Sequence, residues 1–275
     1  MIRFYCGISV WIKLLKHIFY NLDIDNTMAV FKIEISDVKH FKVLLGTLKD
    51  ILVDLNVKIE RTIGMTIIGF DRSNKILVKV VIPLGDFALM ECNVNRILFC
   101  ISAQLLFKIV NTATPNSNVT FFVLGSDYRG GIASHLHVRV DSCITQLKLL
   151  ELDPVEMEIP SVTYATTLTT DSKNFQAHIK NLSSIGEILT FRTSNNSLEM
   201  YARSEFATSC VIVPVEIHRI ETTSGCYESK LFKSICKVSV LAKNVVVQLH
   251  ENLPLVLTYT FGASTISFCV SQMTA

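Results

Sequence analysis

The sequence predicts an α+β protein of two similar domains, each with two helices packed on antiparallel sheets, joined by an extended connector. Three observations predict it. The chain has 275 residues, which suits two units of about 120–130 residues. Apolar residues make up 49% and charged residues 18%, enough to fill hydrophobic cores and too little charge for a disordered chain. One order of elements, helix, strands, helix, strands, is read twice along the chain.

Residues 1–28 stand apart from this plan. Ile8, Val10, Trp11, Ile12, Leu14, Leu15, Ile18, Phe19 and Tyr20 form an apolar stretch interrupted by Lys13, Lys16 and His17. A bilayer span needs roughly 20 apolar residues, so the stretch is too short and too charged to cross one. It reads as an appended extension, with Met28 as an alternative start, and no membrane partner is expected. The rival reading is a membrane-surface protein anchored through residues 1–20.

The first domain is expected over 29–149. Phe41, Leu44, Leu45, Leu48, Ile51 and Leu52 recur at helical spacing and predict a helix near Asp37–Leu55. Strands follow at Met65–Phe70 and Ile76–Ile82. A second helix is expected near Val94–Val110, with Ile97, Leu98, Ile101, Leu105 and Ile109 inward. Pro115 to Asn118 reads as a turn and Ser126–Gly131 as a loop. Residues 150–161, LELDPVEMEIPS, hold two prolines and four acids without a clean period, and read as the connector.

The second domain, 162–275, repeats the order. A strand is expected near Val162–Leu168 and a helix near Ser172–Ile185, with Phe175, Ile179, Leu182 and Ile185 inward. Strands at Leu198–Arg203 and Thr208–Val213 lead to a fourth helix near Glu228–Val240, with Leu231, Phe232 and Ile235 inward. Strands at Val245–His250, Leu255–Phe261 and Ile266–Val270 close the chain. In the last, Ile266, Phe268 and Val270 alternate with Ser267, Cys269 and Ser271, the period of a half-buried strand.

Motifs of catalysis are missing. There is no G-x-S-x-G, Walker A, G-x-G-x-x-G or H-E-x-x-H pattern. His135 and His137 share a strand face, but no third ligand stands near in sequence, so they read as two surface histidines and not a metal pair. No catalytic residue, metal or cofactor is expected. The eight cysteines form no C-x-x-C pair and mostly lie in apolar runs, which suits buried free thiols in a reducing, intracellular compartment.

What the helices share is lysine. Lys39, Lys42 and Lys49 roughly align on the first helix, and Lys230, Lys233 and Lys237 sit three and four apart on the fourth. Lys108 and Lys180 lie on the second and third. A charged helix face is ordinarily just solvated. Four such faces in a chain of net charge +2 predict a local positive track that meets phosphates without reading bases.

Several stretches resemble the proliferating cell nuclear antigen family of DNA sliding clamps. Leu147–Glu187 is similar to that family's connector followed by a helix, and Leu182-Ser183-Ser184-Ile185-Gly186-Glu187 resembles a signature ending in Ser-His-Ile-Gly-Asp. Leu48-Lys49-Asp50, Asn252-Leu253-Pro254-Leu255-Val256-Leu257 and Gly69-Phe70-Asp71-Arg72-Ser73 match in order and spacing, and the likeness runs from Ala29 to about Gln272.

The resemblance implies a homotrimeric ring with helices lining a hole around double-stranded DNA. It implies Lys39, Lys42, Lys49, Lys108, Lys180, Lys230, Lys233 and Lys237 as hole-lining cations. It implies a pocket for a partner peptide at Phe70, Leu77, Met157, Ile159, Pro160, Pro254, Phe268 and Val270. Subunits would join through Ser142–Leu149 and Ala207–Val213, with Cys143, Thr145, Leu147, Ser209, Val211 and Val213 at the contact. Implied partners are a DNA polymerase, a clamp loader and other peptide-motif proteins of replication and repair, in a nucleus or a viral replication compartment. A subunit of a heteromeric checkpoint-type clamp and a non-ring processivity subunit are the neighbouring alternatives. The chain departs from the family in its net charge of +2, in a C-terminal end without acids, and in Cys269 and Gln272 where the family tends to have Tyr and Pro.

Overall fold

The computed structural model describes residues 29–151, 162–194 and 197–273. The first half runs β1 (Ala29–Ile35), α1 (Val38–Ile51), β2 (Asp54–Glu60), β3 (Gly64–Phe70), β4 (Ile76–Pro83), β5 (Phe87–Cys92), β6 (Arg96–Ser102), α2 (Ala103–Val110), β7 (Val119–Leu124), the small hairpin β8 (Tyr128–Arg129) and β9 (Ile132–Ala133), β10 (His135–Val140) and β11 (Cys143–Lys148). The second runs β12 (Thr166–Asp171), α3 (Ser172–Ser183), β13 (Ile188–Ser194), β14 (Ser197–Arg203), β15 (Thr208–Val213), β16 (Glu216–Arg219), β17 (Thr223–Glu228), α4 (Ser229–Ile235), β18 (Asn244–Leu249), β19 (Leu255–Phe261) and β20 (Ser264–Val270). Apart from the β8–β9 hairpin, both halves read strand, helix, five strands, helix, three strands. The α+β class and its duplicated plan are therefore as the sequence predicts.

Side-chain chemistry sets the helix starts. Asp37 accepts from the His40 N–H at 2.9 Å and Asp171 from the Asn174 N–H at 2.8 Å, two equivalent N-caps in the two halves. Phe41, Leu44, Leu45, Leu48 and Ile51 are buried along α1, and Phe175, Ile179 and Leu182 along α3.

The structure corrects the bounds of four elements. The first helix stops at Ile51, not Leu55, because Leu55, Val57 and Ile59 are buried in alternation on β2. The second helix is only Ala103–Val110. Arg96–Ser102 is a strand paired with β2, placing Arg96 opposite Glu60. An unbroken apolar run has no period to separate strand from helix, and Ser102, which caps α2, marks the change. Leu105, expected inward, is exposed. The strand expected at Val162–Leu168 starts at Thr166 and runs to Asp171. The fourth helix tightens after Ile235 into a 3₁₀ turn, Cys236–Val240.

Three larger sheets form, in the orders β11-β10-β7-β1-β5, β16-β12-β18-β19-β20-β4-β3-β2-β6 and β15-β14-β13-β17. The nine-stranded sheet crosses from one half to the other. Its seam is an antiparallel ladder from Thr265↔Val81 to Val270↔Ile76. The helices form one layer over the sheets: α1 packs on α2, on α4 and on the 3₁₀ turn, and α3 packs on α4 and the same turn. Gly46 of α1 leaves room for the Phe107 ring of α2. Ser172, at the start of α3, donates to the carbonyls of Ser239 and Ala242, tying that helix to the turn.

Candidate functional site

The helix layer carries the cations. Lys49, Lys108, Lys180 and Lys233 each stand in the last turn of their helix, and none of these four α-helices has an acid in its first turn. A cation there also offsets the helix dipole by about 0.3–1 kcal/mol, so part of the lysine pattern has a purely structural cause. Lys39, Lys108, Lys180 and Lys233 are exposed and make no ion pair with another described residue.

The other four are engaged. The Lys42 ammonium donates to the carbonyls of Asn111 at 2.9 Å and Ala113 at 2.7 Å, closing the C-terminal end of α2. Unlike the four exposed lysines, it is half-buried and caps a helix. Lys230 pairs with Glu228 at 2.7 Å. Lys49 lies over the Phe107 ring, 4.8 Å from its centroid, and pairs with Asp50 at 2.6 Å. Lys237 of the 3₁₀ turn pairs with the same Asp50. Burial raises the Asp50 pKa, but the hydrogen bonds from Lys237 and Lys49 outweigh it and hold the carboxyl below its ordinary range.

Two acids thus cross the seam between halves in opposite directions. Asp50 of the first half holds Lys237 of the second, and Glu228 of the second holds Lys75 of the first. The Lys230 and Lys75 hydrogen bonds keep the Glu228 carboxyl below its ordinary range. A cavity of about 540 Å³ opens beside them, lined by Lys49, Asp50, Asp71, Arg72, Gln104 and Lys230 among others.

The partner patch needs correction by one residue. Phe268 and Val270 are fully buried and cannot meet a ligand, because β20 turns its even residues into the core. Its odd residues face out, and the ladders align Val256, Cys269, Leu77 and Phe70 in one row across β19, β20, β4 and β3. Phe70 is 47% exposed, Leu77 and Cys269 are half-buried, and Pro254 is exposed nearby in sequence. Burial pushes the Cys269 thiol up and also raises the neighbouring Tyr164 phenol. Met157, Ile159 and Pro160 lie outside the described residues.

The strands expected to join subunits, β11 and β15, are sheet edges of six residues each. Cys143, Thr145 and Leu147 stand opposite Val140, Val138 and Leu136. Ser209, Val211 and Val213 stand opposite Ala202, Met200 and Leu198. Those six partners are buried, so all six expected contact residues point to the core side of their sheets. Leu147 and Val213 are already buried, Thr145, Ser209 and Val211 are half-buried, and Cys143 is exposed. Ile212, on the outer face, is 67% exposed; no periodicity singled it out. Two other edges are blunted: β16 is exposed throughout and holds Glu216, His218 and Arg219, while the Met273 N–H donates to the Cys226 carbonyl beside β17.

His135 and His137 do share a face, but they are not two surface histidines. Both rings reach Asp127, at 3.3 and 2.8 Å, and His137 is buried, stacked on Phe122 at 5.0 Å. They pin the loop that precedes the β8–β9 hairpin. Among the described residues no group of three or more His, Cys, Asp and Glu is arranged to hold a metal ion. No described helix is long and apolar enough to cross a membrane. The seven described cysteines are free; Cys92, Cys100 and Cys236 are buried, and Cys143 and Cys210 are exposed, against the expectation that most are buried. Gly186, in the quoted signature, sits where an added Cβ would lie 2.5 Å from the Arg203 carbonyl oxygen, so only glycine lets the loop after α3 pass β14.

No family model matches the chain. It is 22% identical over 241 residues to the proliferating cell nuclear antigen of Chaetomium thermophilum, covering 82% of this chain and 90% of that one. It is 24% identical over 250 residues to a probable DNA polymerase sliding clamp of Paramecium bursaria Chlorella virus 1, covering 87% and 95%. The crystal structure of proliferating cellular nuclear antigen from Entamoeba histolytica superposes with a TM-score of 0.80 at 19% identity, over 90% of this chain and all of that one. The fold is that of these clamps.

Proposed function

We propose that this chain, a divergent clamp of the proliferating cell nuclear antigen type, encircles duplex DNA and tethers a DNA polymerase and other replication proteins to it. The observation that carries the reading is one molecule with a lysine-bearing helix layer and, in β11 and β15, an unlike sheet edge in each half. Unlike edges join head to tail, and a head-to-tail contact either closes into a ring or grows into a filament. Three copies of a two-domain chain would close the ring with the helices inside. Pairing β11 of one copy with β15 of the next would continue both sheets and their core faces across the joint.

The role needs no chemistry of its own. Lysines suit it, because a mobile point charge neutralises phosphates without fixing a geometry. Topology rather than affinity then retains the clamp, so each contact can stay weak. Partners would seat an aromatic-apolar plug on the row Phe70, Leu77 and Cys269, each large apolar side chain contributing about 1.5–3 kcal/mol. The site of action is a nucleus or a viral replication compartment. The test is the solution mass of the purified chain at micromolar concentration. The reading expects one species of three copies; a stable monomer overturns it.

A further inference from the structure

Asp50 touches cations from both halves of the helix layer. Its carboxylate accepts from Lys49, one residue before it, and from Lys237, on the 3₁₀ turn of the second half. The seam does not depend on this contact alone. A six-residue ladder joins β20 to β4, and the Glu228–Lys75 pair crosses beside it. What Asp50 changes is charge: two lysines and one carboxylate leave the cluster at +1, where two lysines alone would give +2. Lys108 and Lys180, by contrast, are exposed in the last turns of α2 and α3 with no ion pair to another described residue.

We infer that Asp50 is a positioning residue that limits the grip on DNA: it fixes Lys49 and Lys237 as a pair and withholds one positive charge from the phosphates. The inference rests on the clamp reading. A clamp held by topology gains from weak contacts, since every phosphate released during movement must be exchanged. Each neutralised phosphate adds about 0.9 to the slope of log affinity against log salt on duplex DNA. Removing the carboxylate charge frees one cation, so the slope steepens by about that amount.

The experiment measures affinity for a short duplex between 50 and 200 mM salt for the full chain, Asp50→Asn, Asp50→Glu, Lys237→Gln, Lys108→Gln and the Asp50→Asn/Lys237→Gln double variant. Asp50→Asn is expected to lose about 3.5-fold more affinity than wild type across that fourfold salt range, from the extra 0.9 in slope. Asp50→Glu restores the wild-type slope. Lys237→Gln flattens the slope less than Lys108→Gln in the wild-type background, and by a full contact once Asp50 is Asn. That comparison does not require the Asp50→Asn protein to be well folded, because Lys237→Gln against Lys108→Gln is read with Asp50 in place. Equal slopes for Asp50→Asn and wild type, or equal effects of Lys237→Gln and Lys108→Gln, overturn the inference while leaving the clamp reading intact. A wild-type protein whose DNA association does not depend on salt overturns both.

Discussion

Phe268 and Cys269 are neighbours in β20 and face opposite ways. The first is fully buried against Tyr259, ring centroids 6.2 Å apart, and the second is half-exposed beside Leu77. Phe268→Ala should therefore cost about 3–5 kcal/mol of stability, read as a fall in the urea midpoint. Cys269→Glu should leave that midpoint nearly unchanged and weaken a bound partner peptide at least tenfold, about 1.4 kcal/mol. Equal loss of stability from both would refute the assigned facing. This parity was legible in the sequence, since Ile266, Phe268 and Val270 alternate with polar or smaller residues. The resemblance alone assigned Phe268 and Val270 to the pocket, and a one-residue slip moves a side chain to the other face of a sheet.

Asp71 makes a pH prediction at the same scale. Burial raises its pKa, yet bonds from the Ser73 hydroxyl and the backbone N–H groups of Ile76, Ser73 and Lys75 prevail and lower it from the ordinary 3.8. A lowered carboxyl contributes stability that is fully present above its unfolded value and lost as pH falls through its folded one. Because the group is largely solvated, the contribution is about 1 kcal/mol. Asp71→Asn should thus be less stable than wild type at pH 6, with the gap closing below about pH 4. A gap constant from pH 6 to 3 would show that the β3–β4 turn does not depend on that charge.

Among elements, the proposed ring assigns the joint between subunits to β11 and β15. Val211 lies half-buried on the core side of β15, where a neighbouring β11 would cover it. Val211→Asp would then place an unpaired carboxylate in a closed joint, and the three-copy species should fall to monomers with the fold retained by circular dichroism. Ile217→Asp on the already charged β16 should leave the mass unchanged. Persistence of the wild-type mass in Val211→Asp would exclude β15 as the joint. The elements differed in how well the sequence announced them. The buried faces of α1 and α3 were marked by their apolar spacing, while the capping roles of Asp37 and Asp171 came from the structure. The β6–α2 junction was not marked, because Ile97 to Ile101 is apolar throughout and only Ser102 divides strand from helix. The engaged state of Lys42 and the Asp50–Lys237 bridge arise from contacts far apart in sequence, which no local pattern encodes, and the clamp of Asp127 by His135 and His137 depends on how the intervening hairpin folds back.

For the whole molecule, the seam is the organising feature. The β20–β4 ladder fuses two halves of one plan into a nine-stranded sheet, and Asp50 and Glu228 tie the helix side of that joint. The proposed ring requires of each subunit two fused halves, helices packed in one layer and a different free sheet edge in each half, which the contacts and strand orders supply. A ring holds DNA by enclosure, so its retention should follow the ends of the duplex and not its length or sequence. The direct measurement threads the protein onto a linear duplex carrying biotin at both ends, then blocks the ends with streptavidin and washes at high salt. Retention after blocking, with release once the duplex is cut by a restriction enzyme, is the predicted result. Loss in the high-salt wash despite blocked ends would contradict encirclement.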